Sequence, residues 1–176
     1  MPTDFAYRHR LSVRFRDCDA MGHVNHAVYF TYLEQCRLTY WRELTGAPSP
    51  HTGVIIARAE CDYQSPAPFG DELEVRLNID LIGRSSFTLV YKIVKAGGDQ
   101  LVASGKTVMV SYDYAAAASM PLPDATRALL EKEKGSDGDR TPSLPLLHGL
   151  SLGDRRAKER PIGRLSVLAV VPKRQV

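Results

Sequence analysis

An α+β domain, with an antiparallel sheet of about five strands wrapped around one long helix, is predicted by three features of this sequence. A long apolar helical pattern opens at Asn25 and stops at Gly46 and Pro48. Four segments with the period of a strand follow it, between Val54 and Tyr112. Short glycine turns join the later segments, which implies antiparallel neighbours. An apolar helix of this length needs cover on most sides, and a single sheet gives that cover by curling around it.

The first element is read at Val13–Phe15, where apolar residues alternate with Arg14 and Arg16 in the period of a half-buried strand. Asp17 and Asp19 follow where that strand runs out, and Gly22 supplies a turn. Asn25 is a suitable helix N-cap. The helix is expected to run to about Leu44, because Val28, Tyr29, Tyr32, Leu33, Cys36, Tyr40 and Leu44 recur at spacings of three and four. Phe30, Leu38 and Trp41 widen that stripe, so the helix should be mostly buried.

Strands are predicted over Val54–Tyr63, Leu73–Leu81, Ser86–Lys95 and Leu101–Tyr112. Gly83-Arg84 and Gly97-Gly98-Asp99 are the turn signals between them. A short helix from Asp124 to about Lys134 closes the pattern. Beyond it the sequence is rich in Gly, Pro and Arg, and residues 135–176 are expected to be a disordered basic tail. Within the tail, Leu165–Val171 is apolar enough to pair with a sheet edge. The expected domain is therefore 1–134.

Composition excludes several functions. The chain has 176 residues, 44% hydrophobic and 24% charged, as in an ordinary globular domain. Its net charge of +3 is uneven: residues 132–176 hold ten Lys/Arg and five Asp/Glu, against 13 and 15 in residues 1–131. The slightly acidic body offers no nucleic-acid footprint. No apolar run approaches the ~20 residues of a membrane span. The opening MPTDFAYRHR lacks the apolar core of a secretory signal, so a cytoplasmic location is expected. Cys18, Cys36 and Cys61 form no C-x-x-C pair and read as packing residues.

The stretch from Asp17 to Arg37 carries the chemistry. A carboxylate stands beside the positive end of a helix, whose free backbone N–H groups can receive a developing oxyanion. Asp19 can attack an acyl carbonyl or activate a water that does so. Asp17 reads as structural. Asp19, His23 and His26 have spacings that raise a metal triad, but no fourth ligand is near in sequence. His9, His51 and His148 have no supporting context. Glu34 and Arg37 are an i,i+3 pair, either a surface ion pair or an interface contact.

The pattern D-x-D-x-x-G-H-V-N-x-A-x-Y-x-x-Y-x-E-x-x-R, from Asp17 to Arg37, resembles the opening of the 4-hydroxybenzoyl-CoA thioesterase family. A second element, Y-x-x-P-A-x-x-G-D-x-L-x-V, matches at Tyr63, Pro66, Ala67, Gly70, Asp71, Leu73 and Val75. The resemblance spans about residues 7–131 and implies a hotdog fold, the arrangement that the element pattern also reaches. It implies an acyl-CoA thioesterase with no cofactor and no metal, and a site formed between subunits of a homodimer or homotetramer. By the same resemblance Asp19 is catalytic, and His26 is catalytic or touches substrate. Asn25, as the cap, fixes the loop at the substrate site, and Tyr29, one turn into the helix, lines either the acyl pocket or the core; the resemblance places Arg84 and Ser85 at the CoA nucleotide. Lys106 is a weaker candidate there. The competing readings are a non-catalytic acyl-CoA-binding module and an acyl-thioester hydratase or dehydratase. The latter relatives use a His-Pro spacing that is absent here.

Overall fold

A computed structural model describes residues 5–46 and 53–134. The predicted tail, 135–176, and its apolar segment Leu165–Val171 lie outside the described residues. The elements run β1 (Tyr7–Ser12), a 3-10 turn (Phe15–Asp17), α1 (His26–Thr45), β2 (Val54–Tyr63), β3 (Glu72–Ile82), β4 (Ser86–Lys95), β5 (Leu101–Asp113), β6 (Ala118–Ser119) and α2 (Asp124–Lys134).

The strands form one sheet in the order β1-β3-β4-β5-β2, all antiparallel, with two-residue β6 added to β5. Hairpins join β3 to β4 and β4 to β5, as the glycine turns require. The segment after β2 instead crosses the sheet, and β2 and β1 become its two edges.

The helix α1 begins and ends where its caps dictate. The Asn25 side chain accepts from the Ala27 N–H, and Gly46, with φ +65°, takes the left-handed conformation that stops the helix. Tyr32, Leu33 and Cys36 are fully buried against the sheet. Leu33 alone contributes roughly 2 kcal/mol by that burial. Opposite it, β5 carries Gly105, where a Cβ would stand 2.7 Å from Leu33 Cδ1. The missing side chain is what lets helix and strand approach so closely. Phe87, Leu89, Tyr91 and Ile93 of β4, with Leu73, Val75, Leu77 and Ile79 of β3, complete the core. The fold is the hotdog arrangement, an antiparallel sheet around one long helix.

Three expectations need correction. The first strand is Tyr7–Ser12 rather than Val13–Phe15. Val13 is buried, but Phe15 is 80% exposed, because the Asp17 carboxylate captures both the backbone and the guanidinium of Arg14 and winds residues 15–17 into a 3-10 turn. The helix is also less covered than expected: Phe30 and Leu38 remain 37% and 39% exposed on the described chain. In β2 the alternation breaks at a bulge between Ile56 and Arg58, leaving this edge strand partly or fully exposed along its length.

Candidate active site

The loop between the 3-10 turn and α1 is pinned at several points. Asp17 is buried and accepts from Arg14 and from the Tyr32 hydroxyl at 2.8 Å, which ties the turn to the helix. Burial alone would raise its pKa. The hydrogen bonds from Arg14 and Tyr32 outweigh that and hold the carboxyl below its ordinary value. Every role visible for Asp17 is structural. The Asn25 N–H then donates to the Asp17 carbonyl, and the Val24 N–H to the Ala67 carbonyl, so the helix start is fixed to the loop after β2.

Asp19 opens the tight turn that leads there. Its carbonyl accepts from Gly22 N–H at 3.0 Å, and its N–H donates to the His23 carbonyl at 3.0 Å. Gly22, with φ +83°, occupies the position where a side chain would be strained. One carboxylate oxygen, Oδ1, accepts from the Met21 N–H at 2.9 Å. The other has no partner among the described residues. Asp19 is half-buried and therefore reachable.

At the helix start, two of the first three amides are already committed. Ala27 N–H goes to the Asn25 side chain and Val28 N–H to the Asn25 carbonyl. The His26 N–H occupies the first helical position, where no intrahelical acceptor exists, and has no partner among the described residues. It is the free donor at the positive end of α1. Asn25 thus acts as the cap that spends the other amides.

Asp19 and His26 line one cavity of about 530 Å³, together with His23, Tyr29, Tyr63, Gln64 and Ser65. The Tyr29 ring is buried and meets the Tyr63 ring edge-on at 5.2 Å; burial pushes its hydroxyl pKa up to about 12. The Tyr63 hydroxyl donates to the His26 carbonyl at 3.0 Å. Gln64 and Ser65 are held by their N–H groups on the Val102 carbonyl of β5. Tyr63, Gln64 and Ser65 were not anticipated as site residues. The Tyr63-x-x-Pro66-Ala67 element was the available signal, and its meaning is that the loop after β2 forms the second wall.

Arg84 and Ser85 are not at this cavity. They form the turn before β4, held by Arg127 Nη2 on the Gly83 and Arg84 carbonyls. Ser86 pairs with Val110, whereas the cavity end of the sheet is marked by Tyr63, Ala103 and Ile93. The two ends are thus seven residues apart along β4, about 23 Å. Lys106 meets Asp80 at 3.5 Å on another part of the sheet. Among the described residues, no three His, Cys, Asp or Glu side chains gather closely enough to hold a metal ion. No helix among them is long and apolar enough to cross a membrane.

A profile described as the thioesterase-like superfamily matches residues 13–130. The chain is 31% identical to a 1,4-dihydroxy-2-naphthoyl-CoA hydrolase of Synechococcus elongatus, over 71% of this chain and 95% of that one. It is 31% identical to the Bacillus subtilis protein YsmA, over 61% of this chain and 74% of the relative. Among solved structures, a thioesterase of Thermus thermophilus complexed with coenzyme A and Zn superposes with a TM-score of 0.68 at 32% identity. That superposition covers 77% of this chain and 99% of the other. The matching family is broader than the 4-hydroxybenzoyl-CoA thioesterases that the two motifs resemble. This chain, with its hotdog fold, belongs to the thioesterase-like superfamily.

Proposed function

We propose that this protein hydrolyses the thioester of an acyl-CoA to the free acid and CoA. The observation that carries the reading is the pairing of Asp19, with one uncommitted carboxylate oxygen, and the uncommitted His26 N–H on a single cavity. A thioester carbonyl seated between them has its oxygen polarised by the amide at the helix N-terminus. Asp19 then acts on the carbonyl carbon, either directly as nucleophile or as the base for a water. In the first case, water cleaves the resulting acyl-Asp19 anhydride. In both cases CoA leaves as a thiolate, whose parent pKa of about 8.5 makes a strong general acid unnecessary. The His26 side chain, exposed at the same mouth, orients the carboxylate or the water. Tyr29 forms part of the acyl wall.

The relatives support the substrate class. One named 1,4-dihydroxy-2-naphthoyl-CoA hydrolase is 31% identical, and another, from Helicobacter pylori, is named acyl-CoA thioesterase YbgC. Aromatic acyl-CoAs, including the benzoyl class suggested by the motif resemblance, are the first substrates to try. The exposed edge of β2 and the distance of Arg84 from Asp19 favour a homo-oligomer, with the CoA nucleotide held by Arg84 of a second copy. The test is release of free CoA across a panel of aromatic and aliphatic acyl-CoAs, with Asp19→Asn as control. Turnover should fall by about 10²-fold or more in the variant. Near-normal hydrolysis by folded Asp19→Asn removes Asp19 from the reaction. Tight binding without turnover by the unaltered chain makes the protein an acyl-CoA-binding module instead.

A further inference from the structure

The apolar lining of the catalytic cavity is uneven. Val24 and Tyr29 are fixed parts of its wall, 2% and 4% exposed, and the Tyr63 ring meets Tyr29 edge-on. Met21 lines the same cavity, yet it is 80% exposed.

The place that Met21 occupies does not suit an apolar residue. The Gly22 N–H donates to the Asp19 carbonyl at 3.0 Å, which closes a tight turn over residues 19–22. Met21 is the third residue of that turn, where Gly, Asn, Asp and Ser are the usual occupants. A long thioether gains nothing from the turn and stands in water. Its backbone is meanwhile fixed, because the Met21 N–H donates to Asp19 Oδ1 at 2.9 Å. The side chain thus leaves from a point held to the reacting carboxylate, and it is unbranched and freely rotating beyond that point. Sites where a residue breaks the local rule are where function is to be sought.

We propose that Met21 is a specificity-determining residue, whose side chain folds over the bound acyl group and selects a single aryl ring over acetyl. The inference rests on the acyl-CoA reading above and adds the residue that chooses among acyl groups. The ring lies on Val24 and Tyr29, and Met21 covers its other face. The fixed walls do not grip it by themselves, because the cavity measures about 530 Å³, whereas one of about 150 Å³ takes up benzene. Closing the thioether on the ring removes apolar surface of both from water, and sulfur–aromatic contacts are favourable. An acetyl group is too small to touch the wall and Met21 together, so it gains nothing from the cover.

The test compares kcat/KM for benzoyl-CoA and acetyl-CoA in the full-length protein, Met21→Ala and Met21→Leu. All three keep the backbone N–H that Asp19 accepts. Met21→Ala should lower kcat/KM for benzoyl-CoA about tenfold and leave acetyl-CoA within about twofold. Met21→Leu, of similar volume and apolar, should retain most of the activity on benzoyl-CoA. Phenacyl-CoA carries the same ring with a methylene between carbonyl and sulfur, so it is not a thioester and reports binding without turnover. It should bind Met21→Ala about tenfold more weakly. The proposal is overturned by equal losses on the two substrates, by unchanged benzoyl-CoA hydrolysis in Met21→Ala, or by a loss in Met21→Leu as large as in Met21→Ala. An unaltered chain that prefers acetyl-CoA, or phenacyl-CoA binding that ignores Met21, overturns it too. A changed oligomeric state of Met21→Ala on size exclusion also overturns it, and assigns the side chain to a subunit contact. If the unaltered chain hydrolyses no acyl-CoA while phenacyl-CoA binding still depends on Met21, the hydrolase reading falls and the cover stands.

Discussion

The hydroxyl of Tyr63, at the end of β2, donates to the carbonyl of His26, the first residue of α1, at 3.0 Å. This bond ties the edge strand to the helix N-terminus, at the cavity that Asp19 and His26 line. The same ring packs on Tyr29. Tyr63 is therefore tethered to the residue that carries the proposed donor.

Tyr63→Phe keeps the ring contact and deletes only the tether. One such bond is worth about 1 kcal/mol, or roughly a fivefold effect. The expected outcome is a kcat lowered by about that factor, with KM little changed. A lowered melting temperature with kcat intact would show that the tether serves the fold alone.

Arg84 supplies a prediction about geometry. Arg84→Ala should raise KM for acyl-CoA with little change in kcat, and should leave acyl-pantetheine, which lacks the nucleotide, unaffected. Because Arg84 and Asp19 sit at opposite ends of one chain's sheet, the proposed phosphate contact would come from a second copy. Mixing Arg84→Ala chains with Asp19→Asn chains should then regenerate a low-KM fraction, from sites that combine one intact residue of each. A mixture that keeps the KM of Arg84→Ala alone rules out a contact in trans.

Local signals made much of this fold readable. Asn25 and Gly46 set the ends of α1, and the period-2 runs gave β2 and β4 to the residue. β1 was missed because its sequence is Tyr-Arg-His-Arg-Leu-Ser: Arg8 and Arg10 both reach Glu74 of β3, a pairing that local sequence does not reveal. The 3-10 turn depends on the Asp17 side chain outcompeting the strand for Arg14, and the bulge in β2 on its register with β5. At the site, Asp19, His26 and Tyr29 were singled out through the family motif, and the fold brings all three to one cavity. Tyr63 became visible only once β2 was laid beside α1. The burial of Arg37 was hidden for a similar reason, since an i,i+3 pair looks the same on either face of a helix.

The Asp17 carboxyl links the fold to pH. Its folded pKa lies below the ordinary value. The associated stability is therefore fully present above the unfolded pKa of about 3.9 and is lost as pH falls through the lower folded value. Glu74, bonded to Arg76 and Arg10 and beside Arg8, is depressed in the same direction. Asp17→Asn should cost about 2 kcal/mol near neutrality. In urea unfolding below pH 4, the gap between wild type and variant should narrow. A gap that stays constant down the acid range would mean that the Asp17 charge is not what the Arg14 and Tyr32 contacts stabilise.

The close approach of α1 and β5 gives the sharpest test of packing. A Cβ at Gly105 would meet Leu33 Cδ1 at 2.7 Å and the Glu60 carbonyl oxygen at 3.2 Å. The first contact is with the end of a side chain, the second with the backbone of a neighbouring strand. Gly105→Ala should therefore push the helix off the sheet or force Leu33 from its rotamer, at a cost of about 1–3 kcal/mol. Leu33→Ala opens a cavity and should cost about 2–5 kcal/mol by itself. In the double variant the new methyl group enters the space that Leu33 vacates, so the two losses should fall short of their sum by 1 kcal/mol or more, on the order of coupling between residues in contact. Chemical denaturation of the four proteins measures this directly. Additive losses would show that the Glu60 carbonyl, rather than Leu33, is the obstacle, because shortening a side chain cannot relieve a clash with strand backbone.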